Sequence, residues 1–163
     1  ELIDTALPED QITEIRDVAM AVPGLRDVHH IRTRTMGGKT LMDLHLQVDP
    51  RVSVSEGHEI GCWVAASIRA QFSDITDITF HIDPEDDAAI DQEGPSSLRP
   101  LRPEIEEAVR SAIVNPSAPF DLRIHYLRGK IDLEIVTDSV VDEANLRKEL
   151  PAINQLRCLK SEI

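Results

Sequence analysis

Aromatic side chains make up only 3% of this 163-residue chain, with one Trp, one Tyr and three Phe. So small a set leaves little on which nucleotide bases could stack. Cationic side chains are also outnumbered: 17 Lys and Arg stand against 30 Asp and Glu, a formal net charge of −13. Affinity for nucleic acid comes largely from basic side chains releasing phosphate counterions, so no nucleic-acid partner is expected, whereas metal cations and basic surfaces suit the charge. No run approaches the roughly 18 to 20 apolar residues of a membrane-spanning helix, which excludes such a helix within these residues. Two cysteines, Cys62 and Cys158, are too few for a disulfide framework, and no basic-then-apolar leader opens the chain. A reducing, cytoplasmic setting is the default. No nucleophile elbow and no glycine-rich phosphate loop occurs, so an enzyme is not expected.

Hydrophobic residues nevertheless reach 41%, enough for a packed core. From Pro8 to Val22, Ile12, Ile15, Ala19 and Val22 recur at helical spacing, and Pro23-Gly24 stops the helix. The period then changes to two over Val28 to Met36 and Lys39 to Val48, with Gly37-Gly38 as a hairpin turn between them. Ser53 with Glu56 predicts a capped helix start, followed by a stripe of Ile60, Val64, Ile68 and Phe72. A third strand is expected from Ile75 to Ile82. The expected class is α+β, in the order αββαβ.

Periodicity disappears in a Pro-, Gly- and Ser-containing stretch over residues 85–100, read as a linker. Beyond it, residues 101–163 predict a further αββα(β) unit: a helix from Pro103, strands at Phe120 to Arg128 and Lys130 to Val136, a helix at Asp142 to Leu150 and a last strand at Gln155 to Leu159. Met42-Asp43-Leu44-His45-Leu46 lines up with Ile131-Asp132-Leu133-Glu134-Ile135, which sets Glu134 where His45 stands. Internal duplication explains this match, and so does a shared strand pattern.

Five of the six histidines lie in the first half: His29, His30, His45, His58 and His81. Taken singly, each fits an ordinary surface histidine. Strand parity sharpens the choice, because His45 projects opposite Met42, Leu44 and Leu46, while His81 and Asp83 share the face opposite Phe80 and Ile82. In one sheet, these groups converge on its polar side. Imidazoles with a carboxylate suit Zn²⁺, with Mn²⁺, Fe²⁺ or Cd²⁺ as further possibilities, and the lack of a thiolate pair argues against Cu(I). His58 lies four residues before Cys62 on one helix face, so Cys62 could join a site, although a small buried residue is its expected role. Trp63 falls off the apolar stripe, as peripheral core or as a dimer contact, and His125 reads as a solvated strand residue.

Leu2-Ile3-Asp4-Thr5-Ala6-Leu7-Pro8, Val22-Pro23-Gly24, His29-His30-Ile31-Arg32-Thr33-Arg34, Asp43-Leu44-His45-Leu46, His58 and His81-Ile82-Asp83-Pro84 together resemble the cytoplasmic domain of cation diffusion facilitator transporters. The resemblance covers residues 1–84. It implies a ferredoxin-like, metallochaperone-like αββαβ fold, a homodimer, and divalent metal, expected to be Zn²⁺, at the dimer interface. It also implies attachment to the transmembrane domain of the same transporter, on the cytoplasmic side of the inner membrane, with a regulatory part in metal efflux. A chain that opens on Glu1 rather than Met fits such a piece. The ligand positions it implies are His29, His45, His58, His81 and Asp83, with Asp83 able to bridge two metals and His58 able to reach towards the partner subunit. The second unit lacks this set. A freestanding protein-interaction domain and a soluble metal chaperone are the alternatives.

Overall fold

Pro8 at the N-cap and the Pro23-Gly24 stop bound the first helix, α1 (Glu9–Met20), in a computed structural model that describes residues 7–86 and 99–161. The chain divides into two compact units, Glu1–Asp87 and Ala88–Ile163. In the first, α1 is followed by β1 (Leu25–Met36), β2 (Lys39–Val48), α2 (Val54–Gln71) and β3 (Ile75–Asp83). Strands β1 and β2 are antiparallel, β2 and β3 parallel, and β2 is central. Gly37 and Gly38 have φ of 61° and 76°, the left-handed backbone that a tight hairpin requires and that glycine adopts without a Cβ clash. Ser53 Oγ accepts the Glu56 backbone N–H at 3.1 Å, capping α2.

Met42, Leu44, Leu46 and Val48 of β2 are buried and alternate with more exposed neighbours, so one face of the sheet carries the core. Ile15 and Ala19 of α1 and Val64, Ala65 and Ile68 of α2 close that core. The buried side of α2 differs from the expected stripe. Gly57 and Gly61 are buried, whereas Ile60 and Phe72 are only half-buried. The reason lies in β3: a Cβ at Gly57 would stand 2.9 Å from Ile82, and one at Gly61 would collide with the Phe80 ring. Two helix positions without side chains let α2 approach the strand closely. The opposite face of the sheet carries His45.

The second unit repeats the plan with α3 (Arg102–Ala112), β4 (Phe120–Leu127), β5 (Lys130–Thr137), α4 (Glu143–Glu149) and β6 (Ile153–Leu159). Its sheet order is β4-β5-β6, antiparallel then parallel, over its own core of Ile105, Val109, Ile131, Leu133, Ile135 and Leu146. Both units are therefore α+β with an αββαβ order. Most of the expected 85–100 linker, residues 87–98, lies outside the described residues.

The two central strands correspond in a register that differs from the one expected from sequence. Thr40 N–H donates to the Asp74 carbonyl at 2.9 Å, Ile131 N–H donates to the Ala152 carbonyl at 2.9 Å, and each marks the same register shift against the last strand. Lys39 thus corresponds to Lys130, Asp43 to Glu134 and His45 to Val136. Glu134 does not stand where His45 does. Instead, Arg32 opposite Asp43 is matched by Arg123 opposite Glu134, with Arg123 Nη1 3.4 Å from Glu134 Oε2. His125 is half-buried on β4 rather than fully solvated.

Candidate metal centre

Hydrogen-bonded register sets His29 of β1, His45 of β2 and His81 of β3 side by side in one row across the first sheet. Asp83 follows on β3 opposite Gln47. Because side chains alternate along a strand, His81 and Asp83 share the face on which His45 emerges. Asp83 Oδ2 lies 2.9 Å from His45 Nδ1 and 3.2 Å from His29 Nε2. The three donor atoms all lie within 4.8 Å of one another. Four donors placed tetrahedrally about 2.0–2.2 Å from a zinc-sized ion stand about 3.4 Å apart, close to the separations of Asp83 from His45 and His29.

The centre is sheltered. Side-chain exposure is 13% for His29, 9% for Asp83 and 28% for His45. The approach of His29 Nε2 to Asp83 is not aligned for a hydrogen bond, and both ring nitrogens of His29 are buried without a hydrogen-bonding partner. Buried polar atoms are almost always satisfied, because an unmet donor or acceptor carries its full desolvation cost. A cation is a partner that a neutral imidazole nitrogen and a buried carboxylate can both satisfy. His29, His45 and Asp83 therefore fit a divalent ion by donor type, spacing and unmet bonding capacity.

The other expected positions fall elsewhere. His81 is exposed, and its ring stacks on His45 with centroids 4.7 Å apart and an interplanar angle of 21°. It adjoins the convergent trio without joining it. His58 belongs to α2, the helix packed against the core face, and sits beside Phe80 with ring centroids 5.6 Å apart. The fold of one chain does not bring it to His29, His45 and Asp83. Its neighbour is Cys62, with Sγ 3.6 Å from His58 Nε2, and Cys62 is exposed rather than buried. Trp63 is 62% exposed, so it is not core. His30 was not among the expected ligands, yet its ring lies beside those of His29 and His45, with centroids 5.3 and 5.5 Å apart.

Two perturbed groups lie in the second unit. Burial pushes the Tyr126 hydroxyl above its ordinary pKa, opposed by Arg102 and reinforced by Glu104, and that hydroxyl donates to the Pro100 carbonyl at 2.8 Å. Burial also raises the Cys158 thiol, with the Glu143 carboxylate adding to it.

Residues 7–85 match the family described as the cytoplasmic domain of cation efflux proteins. Among curated relatives, metal tolerance protein C1 of Arabidopsis thaliana is 37% identical over 84 residues, which are 52% of this chain and 18% of that protein. The cation-efflux pump FieF of Pectobacterium atrosepticum is 36% identical over 83 residues, 51% of this chain and 27% of that protein. The chain thus spans about a fifth to a quarter of the length of these relatives. A solved structure of MamM-CTD 215-293 is 30% identical and has a TM-score of 0.46, covering 47% of this chain and 98% of its own.

Proposed function

We propose that this chain, whose residues 7–85 belong to the cytoplasmic-domain family of cation efflux proteins, is the metal-responsive regulatory part of a divalent-cation efflux transporter. The observation that carries this reading is the convergence of His29, His45 and Asp83 around buried, unsatisfied imidazole nitrogens. In this reading residues 1–84 bind the ion and pair with a second copy, residues 85–100 are a linker, and residues 101–163 are an additional unit without this ligand set. A transmembrane part of the same transporter completes the protein, with this chain on the cytoplasmic side of the inner membrane.

Zn²⁺ is the proposed ion, since two imidazoles and a carboxylate match its borderline character. The bound ion supplies positive charge and directional bonds. His29, His45 and Asp83 hold it on the open sheet face, and His81 and the partner's His58 are the proposed further ligands across the seam. Each chain carries a formal −13, so two copies repel until charge is offset. A ligand shifts an equilibrium only by its differential affinity for the two states. Sites complete only in the paired arrangement make pairing depend on cytoplasmic metal, and the paired state is the proposed signal to the transport helices.

Isothermal calorimetry with Zn²⁺ on the wild type and on a His45→Ala, His81→Ala, Asp83→Ala variant tests the site, and sedimentation velocity with and without Zn²⁺ tests pairing. The expected results are loss of tight binding in the variant and a monomer-to-dimer shift in the wild type. Equal stoichiometry and affinity in both proteins would remove the site assignment.

A further inference from the structure

His30 stands where regular strand alternation would bury it. Val28 faces the core and is fully buried, His29 emerges on the open face, and an unbroken strand would return His30 to the core side. The pairing slips instead. His29 lies opposite His45 and Arg32 opposite Asp43, so His30 and Ile31 together face Leu44 alone. This is a β-bulge, the device that re-aims a side chain and is over-represented beside functional sites. Its strained residue is His30, with φ of 52°, in the left-handed region that histidine tolerates better than most residues. Beyond it, Ile31 returns to pack against the core. Two consecutive imidazoles therefore emerge on one face, with His30 edge-on to both His29 and His45 at centroid distances of 5.3 and 5.5 Å.

We propose that His30 is a further donor to the cation held by His29, His45 and Asp83. The proposal rests on that reading of the trio and adds a ligand to it. Three protein donors leave one position of a tetrahedral ion open. His29 and Asp83 lie on the sheltered side of the centre, while His30 is exposed and free to change rotamer towards it. The stacked ring of His81 flanks His45 on the β3 side, whereas His30 adjoins both imidazoles of the trio. With His30, one chain's share of the ligands becomes three neutral nitrogens and one carboxylate oxygen, to which pairing adds those across the seam. Backbone strain held at a functional position is then explained by the side chain it delivers.

Co²⁺ titration followed by visible absorption tests this on the whole chain. His30→Asn keeps a residue tolerant of positive φ and removes the imidazole. It should weaken Co²⁺ binding by roughly 10-fold or more, since even partners outside the ligand shell cost that much, and should reduce the intense absorption of tetrahedral cobalt. His30→Cys provides a gain of signal: a sulfur-to-cobalt charge-transfer band absent from the wild type, which already carries Cys62 and Cys158. Binding lost in His45→Ala but unchanged in His30→Asn, with no new band in His30→Cys, overturns the place given to His30 alone. A wild-type chain that binds no Co²⁺, or binds it equally after His45→Ala, overturns the underlying trio.

Discussion

Asp83 and His45 are 38 residues apart in sequence, yet Asp83 Oδ2 lies 2.9 Å from His45 Nδ1. The parallel pairing of β2 with β3 creates that contact, and α2 is the crossover that makes parallel pairing possible. The carboxylate of Asp83 is thereby carried by the last strand of the first sheet, next to the central one.

Cation binding should stabilise the first unit selectively. At a cation concentration about 100 times Kd, binding to the folded state alone contributes about 2.7 kcal/mol. Hydrogen exchange read by mass spectrometry should show added protection in β1, β2 and β3 with Zn²⁺ and none in β4, β5 and β6. Asp83→Asn should abolish the gain while keeping the unit folded.

Gly61→Ala should destabilise the first unit, by up to about 2 kcal/mol. Helix propensity favours alanine by about 1 kcal/mol, but the added methyl meets the Phe80 ring, and overpacking costs about 1–3 kcal/mol. Urea denaturation of the variant checks the sign; a net gain would show that Phe80 moves aside freely.

Strand parity made His45, His81 and Asp83 legible, because a period of two assigns a face to every residue of an unbroken strand. It could not place His30, since a bulge breaks that period; the only sequence signal is that Val28 and Ile31 are three apart and both apolar. The buried face of α2 departs from the hydrophobic stripe for a related reason. Hydrophobic periodicity gives weight to Ile60 and none to Gly57 and Gly61, the positions that face Ile82 and Phe80. In the second unit, similar residues drew Glu134 onto His45, whereas the backbone bonds of Thr40 and Ile131 set the correspondence at Asp43. The position of His58 relative to a partner subunit lies beyond what one chain's pattern encodes.

Trp63, the sole tryptophan, is 62% exposed and borders an open groove of about 690 Å³ between α1 and α2, lined by Val18, Val22 and Ile60. Its emission should be solvent-like and strongly quenched by iodide. Trp63→Ala should alter unfolding stability by no more than about 0.5 kcal/mol, as for other exposed positions. A blue-shifted, protected emission would mean that this surface is covered in solution.

Cys158 is exposed, yet it should alkylate more slowly at neutral pH than an ordinary free thiol, because partial desolvation and Glu143 raise its thiol pKa and so reduce the reactive thiolate. Glu143→Gln removes the carboxylate contribution and should accelerate iodoacetamide labelling of Cys158, measured by peptide mass spectrometry. The sign for stability follows from the same shift. With the folded pKa above the unfolded one, the contribution is present below the ordinary thiol pKa and is lost as pH rises through the raised value.

The most direct measurement is the position of the ion itself, from anomalous diffraction at the zinc edge on crystals of the chain grown with Zn²⁺. An anomalous peak within about 2.0–2.2 Å of donor atoms of His29, His45 and Asp83 is the predicted result. A peak confined to His58 and Cys62, or none on the open face of the first sheet, would contradict it.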